Sequence, residues 1–486
     1  MLPACFYSFQ LRLIIAPAFS ASESGNLLSA AKLTVNSPEL HSTGGRISAV
    51  DLELNLLKRL ANSGTLSSPA KIDIAALHDR LDIHNSGNIL ARQTEVTADS
   101  LYGAGTVSGA EWAKVNVGSL GGGQSVTAGE HLELNVASDV DNHGTLGAAG
   151  QADINIPNLN NHGRVLAGEV LNLSTGQLNN AADGLINTSG ATNIQASSID
   201  NLGRLYGDWV NLNASYLKNH GGGAIAAREH LDARINTIDN LRDNVTFAAD
   251  GQAQGDSPII KSDGTLVLSG QRLTNAGGIV QSAEDMALNG LQVKNDNPNF
   301  RSEQVITKTG EGKKYLRSLD PGSNGKLYDR DLFTEGKHHI FYAKDPSKTD
   351  GITQLNRVSE ITADVSQEDT KIVTTTPGQI IAGGNLHLNH SHIDNEKSNI
   401  TIGGVIVRNG GDITNNDADR TEQTFYDGDY RNTESQRRRR FGVFRTYKRR
   451  EFGENAKGEF HENTGPHTDK MGVYGSKENE QVELTN

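Results

Sequence analysis

The chain of 486 residues contains a single cysteine, Cys5, and only 5% aromatic residues. One cysteine excludes a disulfide framework and a zinc cluster built from cysteines. No run of 18 or more apolar residues occurs, which excludes a membrane-spanning helix of ordinary length. Hydrophobic residues amount to 35%, less than in typical globular domains, so one large spherical core is not expected.

The sequence also lacks an excess of basic residues, because 45 Lys and Arg stand against 58 Asp and Glu and the net charge is −13. General nucleic-acid-binding proteins carry a basic excess, so no nucleic-acid partner is expected. Glycine, in contrast, is abundant at 53 residues. The apolar residues are mostly Ala, Val, Ile and Leu, which suit a thin core stacked along an axis.

Asparagine-containing corners, many of the form Asn-x-Gly, recur along the chain with a period of about 20 residues. From Asn142 to Asn240 the successive steps are 19, 19, 21, 18 and 21 residues. Asn180 and Asn295 follow the same period. Glycine at such corners would permit a positive φ. The repeat corners assigned in this way are Asn62, Asn85, Asn142, Asn161, Asn201, Asn219 and Asn275.

Within a repeat the apolar residues alternate. Val165 and Ala167 are two residues apart, as are Leu171 and Leu173, which is the spacing of strand residues on one face. A unit of 20 residues cannot bury its apolar side alone, but it can do so when it is stacked on its neighbours. The pattern therefore predicts an all-β fold, a parallel β-helix in which corner asparagines stack into amide ladders.

The repeat also divides the chain into segments. Residues 1–24 form an apolar N-terminal segment with a weak likeness to a signal peptide, and residues 25–295 carry the repeats. Residues 296–376 lose the period and are expected to form a β-rich insertion, after which the repeats resume over residues 377–416. Residues 417–486 are polar and basic, and we expect this tail to be disordered or a truncated module.

These residues support a resemblance to a known family. Units such as Asn142 to Asn179 resemble the haemagglutinin repeats of filamentous haemagglutinin-type exoproteins. The segment Pro377 to Gly404 is similar to the end of the repeat array in effectors of contact-dependent growth inhibition. The resemblance covers roughly Gly25 to Asn416 and implies a right-handed parallel β-helix that is secreted through an outer-membrane two-partner-secretion transporter.

The resemblance also implies location and function. We expect a secreted or cell-surface adhesive shaft that binds a glycan or protein receptor on host or neighbouring cells, with no cofactor and no enzymatic activity. The alternative is the stalk of a contact-dependent growth inhibition toxin whose toxic module lies elsewhere. No complete secretion domain precedes the repeats, so the chain is expected to be an internal piece of a larger exoprotein.

One basic cluster interrupts the otherwise acidic sequence. Its cations could bind phosphates or another anionic ligand, or they could belong to a solvated segment or contact a partner. Phe441, Phe444 and Tyr447 lie between them. The cations are Arg437, Arg438, Arg439, Arg440, Arg445, Lys448, Arg449 and Arg450.

Metal and catalytic sites are not expected from the remaining pattern. On one strand His390 and His392 would share a face while His387 pointed away, which does not suit a metal ion. Parallel β-helices also include polysaccharide-active enzymes with paired aspartates, which makes such an enzyme the third hypothesis. The candidate carboxylates here recur with the repeat instead of clustering once; they are Asp139, Asp141, Asp239 and Asp243.

Overall fold

A computed structural model describes residues 10–14, 19–21, 25–78, 80–440 and 444–471. Cys5 and most of the N-terminal segment 1–24 lie outside these ranges. The chain divides into two compact units. The first, here called the solenoid, comprises the described residues up to Phe300 and those from Thr374 to Asp417. The second comprises Arg301–Val373 and the described residues from Ala418 to Met471.

The described residues are almost entirely strands, with two 3₁₀ helices at Arg330–Leu332 and Pro346–Lys348. In the part of the chain that the structure describes, no helix is long and apolar enough to cross a membrane. The strands are β1 (Gln10–Ile14), β2 (Phe19–Ala21), β3 (Asn26–Leu28), β4 (Lys32–Ser42), β5 (Arg46–Ser48), β6 (Asp51–Asn62), β7 (Thr65–Ala76), β8 (Asp82–Asn85), β9 (Asn88–Tyr102), β10 (Thr106–Leu120), β11 (Ser125–Ala128), β12 (His131–Val136), β13 (Val140–Asn142), β14 (Thr145–Ala148), β15 (Gln151–Asn161), β16 (Arg164–Ala167), β17 (Val170–Asn180), β18 (Leu185–Thr188), β19 (Ala191–Gln195), β20 (Ser198–Asn201), β21 (Arg204–His220), β22 (Ala224–Leu241), β23 (Thr246–Phe247), β24 (Ala253–Gln254), β25 (Ile259–Ser262), β26 (Thr265–Ser269), β27 (Arg272–Ala276), β28 (Ile279–Ser282), β29 (Met286–Asn289), β30 (Gln292–Asp296), β31 (Arg301–Ser318), β32 (Leu327–Asp329), β33 (Phe333–Glu335), β34 (Phe341–Ala343), β35 (Gln354–Leu355), β36 (Arg357–Thr374), β37 (Gln379–Ala382), β38 (Leu386–Asn389), β39 (His392–Glu396), β40 (Asn399–Ile402), β41 (Ile406–Asn409), β42 (Asp412–Asn416), β43 (Asp419–Arg440), β44 (Phe444–Glu451), β45 (Lys457–Asn463) and β46 (His467–Lys470).

The solenoid is built from coils that stack by parallel strand pairing, which confirms the predicted fold class. In the coil from Thr145 to Asn161, β14 provides the first strand and the two halves of β15 provide the second and third. β14 pairs in parallel with β16, and β15 pairs with β17 along its length. Three ladders of first, second and third strands therefore run from coil to coil.

The core consists of columns of inward-facing side chains, one per coil. In one column of the second strands, Leu132, Ala152 and Leu171 occupy consecutive coils and are fully buried. Each buried leucine contributes about 2 kcal/mol relative to exposure. Thr94 and Thr192 replace apolar residues in this column, and their hydroxyls donate to the carbonyl oxygens of Ser108 and Tyr206. The thin core of small and branched residues is thus a series of stacked layers.

The corner asparagines end the third strands and form a buried stack, here called the inner amide ladder. Each Asn donates through Nδ2 to Oδ1 of the Asn in the next coil, at 2.7–2.9 Å. All members except the last are at most 1% exposed. The continuous run is Asn142, Asn161, Asn180, Asn201, Asn219, Asn240, Asn275, Asn295, Asn395 and Asn415.

A shorter stretch of the ladder precedes this run. Asn62 donates to Asn85 at 2.8 Å, so all seven corners assigned from the sequence lie in the two stretches. In the coil before Asn62, the equivalent corner position is occupied by Ser42. The buried Ser42 Oγ and Asn62 Oδ1 have no hydrogen-bond partner. Each Asn donates to the Asn of the following coil. Because Ser42 does not donate to Asn62, the Asn62 Oδ1 accepts no hydrogen bond.

The glycines of the seven Asn-x-Gly corners are required chiefly by the close approach of the coils. The expectation of positive φ holds only for Gly221 and Gly277, at 59° and 68°. At Gly64, Gly87 and Gly163 a Cβ would lie 2.1–2.2 Å from a carbonyl oxygen of the preceding coil. Steric exclusion between stacked backbones, and not turn geometry, therefore selects glycine at most of these corners.

The solenoid continues in register across the non-repeat insertion. β28, β29 and β30 pair in parallel with β37, β38 and β39, about 100 residues later in the chain. Asn295 donates to Asn395 at 2.7 Å across the same junction. Asp285 accepts from the backbone N–H of Asn385, also at 2.7 Å, and this bond lowers the pKa of the Asp285 carboxyl.

The second unit combines the insertion with the described part of the C-terminal tail, whose strands correct the expectation that this part is disordered. β32, β31, β36, β43 and β44 follow one another in one sheet, and β45 and β46 also pair with β43. Its small cores contain the aromatic side chains that distinguish the insertion, among them Phe333 and Phe341. The tail has few apolar residues, but strand pairing and ion pairs such as Arg420–Asp369 satisfy its polar groups.

Asn201→Ala is expected to lower the free energy of unfolding by about 2–4 kcal/mol, because a buried donor and a buried acceptor lose their amide partner. The matched control is Asn193→Ala, which interrupts an amide ladder on the solvent face and should cost less than about 1 kcal/mol. Urea unfolding followed by circular dichroism measures both. Equal effects would contradict a special role for the inner amide ladder.

Gly163→Ala is expected to destabilise the solenoid by about 1–3 kcal/mol, because the added methyl meets the Gly144 carbonyl oxygen and backbone must move. At Gly123 the nearest atom to an added Cβ is 3.3 Å away, so Gly123→Ala serves as the control. Thermal unfolding of both variants tests the steric explanation, which fails if Gly163→Ala unfolds at the wild-type temperature.

Candidate functional site

The basic cluster forms an antiparallel hairpin in the second unit, here called the basic hairpin (Arg437–Arg440 of β43 with Phe444–Arg450 of β44). Arg437 lies opposite Tyr447, and Arg439 lies opposite Arg445. Phe441 lies outside the described residues, as do the side chains of Arg438, Arg439, Arg440 and Phe444. Like charges at directly opposed strand positions are unfavourable, so strand pairing alone does not account for this sequence.

Arg449 differs from the other cations because its side chain supports the second unit. Its guanidinium lies 4.1 Å from the ring centre of Phe341, and its Nε lies 2.9 Å from Glu360. It also donates to Thr433 Oγ1 and to the His339 carbonyl oxygen. Burial lowers the pKa of Arg449, although Glu360 opposes this shift.

The remaining described cations of the basic hairpin face solvent. Arg437, Arg445, Lys448 and Arg450 are exposed, so an anionic ligand would be bound by these four and not by Arg449. Tyr447 is half-buried, and its ring lies 4.1 Å from that of His338. The sequence pattern identified the cluster but could not separate the structural arginine from the exposed cations.

A cleft of about 740 Å³ also lies within the second unit. Lys314, Arg330, Arg431 and Lys457 line it together with Glu360, Asp429 and Glu459. Cations and carboxylates are thus nearly balanced. The cleft has no strong preference for one sign of charge, and sequence reasoning missed it because its residues come from both the insertion and the tail.

The outward face of the second strands, here called the second-strand face, is a flat polar surface of the solenoid. Asp153, Asn172, Asn193 and Asn211 occupy consecutive coils, and each Asn donates to the preceding residue at 2.7–2.9 Å. A shallow groove of about 460 Å³ follows these amides and reaches Asp232. Asn172 and Asn193 each use one donor and one acceptor within the ladder, and Asn211 uses one donor, which leaves further hydrogen-bonding capacity for a ligand.

An exposed tryptophan also lies on the second-strand face. Trp209 lies two residues before Asn211 on the same side of β21, and 48% of its surface is exposed. Its indole N–H donates to Glu229 at 2.8 Å, and His230 of the next coil lies 5.4 Å away between ring centres. Both tryptophans of the chain occupy one register column: Trp112, His131, Gln151, Val170, Ala191, Trp209 and His230.

The histidines do not form a metal centre among the described residues, where no group of three or more metal-ligating side chains converges. His390 lies in a turn with φ 54°, so it does not share a strand face with His392, contrary to the sequence analysis. His387 approaches Asp285, and His392 bonds to Asp412. These contacts link coils to each other.

The histidines of the Asn-His-Gly corners also contact residues of neighbouring coils. The rings of His143 and His162 stack at 5.0 Å, and His162 also bonds to Asp183 at 3.0 Å. His220 bridges Asp200 and Asp243 of the coils on either side, at 2.8 and 2.6 Å. Histidine at these corners therefore connects neighbouring coils.

The candidate catalytic carboxylates are also engaged individually. Asp139 and Asp141 accept from asparagines of the next coil, Asp239 accepts from Tyr216, and Asp243 accepts from Gly221 and pairs with His220. The bonds of Asp139, Asp141 and Asp239 join residues of neighbouring coils. Asp243 lies in the loop that follows β22 and bonds back to the corner of the preceding coil. The geometry repeats a structural contact and provides no paired acid and base.

Arg449→Ala is expected to loosen the second unit by about 2 kcal/mol, because Glu360 and Phe341 lose their partner. Hydrogen–deuterium exchange should increase in β36 and β43 while the strands of the solenoid keep their protection. Arg445→Ala, at an exposed position of the same hairpin, is the control and should leave exchange unchanged. Equal exchange in the two variants would show that Arg449 has no structural role.

Comparison with known proteins agrees with this architecture. The sequence model of the family described as haemagglutinin repeat matches residues 20–108, 89–155, 242–311 and 356–419, which together cover more than half of the chain. No solved structure matches the chain.

Two curated relatives come from Escherichia coli. The chain is 26% identical over 302 residues to the protein named Toxin CdiA, which covers 55% of this chain and 10% of that protein. It is 27% identical over 279 residues to tRNA nuclease CdiA of strain 536, which covers 54% of this chain and 8% of that protein. The chain thus spans a tenth or less of the length of these relatives. With the repeat matches and the stacked coils together, the chain belongs to the haemagglutinin repeat family.

Proposed function

We propose that the solenoid is a non-enzymatic shaft of a secreted or cell-surface exoprotein, and that its repeated outer surfaces adhere to cells or matrix. The observation that carries this proposal is the unbroken inner amide ladder from Asn142 to Asn415. Within this run, backbone pairing and buried amides join each coil to the next, so outward side chains hold fixed positions along the solenoid. Weak contacts to such an array add through avidity.

Family membership supports the location and the route of export. Haemagglutinin-repeat exoproteins are expected to leave the cell through an outer-membrane transporter, which is then a partner of the parent protein. The receptor is a glycan or protein of a host or neighbouring cell. The individually paired aspartates and the inter-coil role of the histidines support a function without catalysis.

The names of the two relatives favour a second candidate function. Because both are CdiA proteins, one named a toxin and the other a tRNA nuclease, this chain would be the stalk of a longer effector that delivers a toxic module to a neighbouring bacterium. The two functions differ in the surface that is bound. An adhesin binds host cells or matrix, whereas an effector stalk binds bacterial cells.

Binding of the fluorescently labelled full chain to epithelial cells, to immobilised matrix proteins and to Escherichia coli cells tests the proposal. Saturable binding to epithelial cells or matrix supports the adhesive shaft, and selective binding to bacteria supports the effector stalk. Binding to none of the three surfaces would contradict both functions. Heat-unfolded chain controls for nonspecific adsorption, because it has the same composition and charge.

A further inference from the structure

We propose that the second-strand face around Trp209 is a binding site for an extended, uncharged glycan that lies along the solenoid. The inference rests on the proposed adhesive function and names the ligand of that surface. Three observations support it: an exposed indole, a ladder of amides beside it, and an acidic surrounding.

Trp209 provides an exposed aromatic surface beside the amide ladder. Trp209 is not a core residue, because 48% of its surface is exposed. The hydrogen bond from its indole N–H to Glu229 orients the ring. The apolar C–H face of a pyranose stacks on such a ring, while its hydroxyls remain at the edge for hydrogen bonds.

The amides of Asn193 and Asn211 provide those hydrogen bonds. Their side chains are already ordered by the bonds between coils, so ligand binding costs little conformational entropy. Both project from the strands that line the shallow groove. Amides can donate to and accept from hydroxyl groups, which suits sugars of several stereochemistries.

The spacing of the coils determines the direction of the ligand. Neighbouring strands of a sheet are about 4.8 Å apart, which is close to the length of one residue in an extended β-1,4-linked glycan. A chain along the solenoid therefore meets the same register position of one coil at each sugar. Trp112 lies five coils from Trp209 in the same column, about 24 Å away at this spacing, and can stack on a more distant sugar.

Charge selects an uncharged glycan. Carboxylates outnumber arginines around Trp209, and both arginines are paired to aspartates, Arg228 to Asp208 and Arg234 to Asp232. Sulfated or uronic-acid polymers would be repelled. The carboxylates are Asp208, Glu229 and Asp232, and Asp153 lies three coils away at the end of the amide ladder.

The test uses the full chain with Trp112→Phe, so that Trp209 is the only tryptophan. Its fluorescence is titrated with cellohexaose, chitohexaose and maltohexaose, and with a heparin hexasaccharide as the charged comparator. A saturable change with at least one uncharged hexasaccharide, and a weaker or no response to heparin, is the expected result. No response to any uncharged sugar, or stronger binding of heparin, would overturn the proposal.

Matched variants locate the site. Asn211→Ala should weaken sugar binding at least tenfold, whereas Asn55→Ala, which interrupts an outward Asn–Asn pair with Asn36 far along the solenoid, should change it less than twofold. Circular dichroism verifies that both variants are folded. Equal affinities for the two variants would overturn the assignment.

Cell binding separates this inference from the function on which it rests. If the wild-type chain binds cells and Trp209→Ala binds equally well, the glycan site is overturned as the adhesive surface and the adhesive function stands. If binding by the wild-type chain survives removal of cell-surface glycans, the ligand is a protein and the inference is also overturned. If the wild-type chain binds no cells, the adhesive function fails, and the fluorescence titration still decides the site.

Discussion

The structure depends on one constraint: the backbone of each coil must form hydrogen bonds, in register, with the coils on both sides of it. The inner amide ladder supports this register at a single corner, where a buried Asn donates both to the Asn of the next coil and to a backbone carbonyl oxygen, as Asn180 and Asn201 do. A slip of one residue would turn a third strand over, so that its Asn would leave the core and the ladder bonds to both neighbouring coils would be lost. Glycine beside the ladder allows the backbones to approach closely.

The same constraint explains how the chain accommodates insertions. β30 and β39 are joined by backbone pairing and by the Asn295–Asn395 bond although the chain departs between them. The second unit forms its own small cores and its own sheet, so it adds no demand on the register of the solenoid. The outward-facing residue at a given register position can therefore differ from coil to coil, and amides, carboxylates and tryptophan occur at such positions.

Sequence reasoning predicted the features that the period determines. The alternation of apolar residues predicted the strands, and the 20-residue period predicted the coils. The seven corner asparagines indicated where the ladder lies. It did not find Asn395 and Asn415, because the insertion interrupts the period before them. The expectation of disorder was wrong for the described part of the tail, because β43 is polar and pairs with β36, which is distant in sequence. Trp209 and Trp112 share a column only after strand register is known.

The most direct test of the ladder is Asn295→Ala, measured by native-state hydrogen–deuterium exchange. The substitution removes the buried bond that joins the coils on either side of the insertion. Exchange should rise in β37, β38 and β39, while β14 to β18, several coils away, keep wild-type protection. Unchanged exchange in β37 to β39 would show that backbone pairing alone holds the register and would contradict the account.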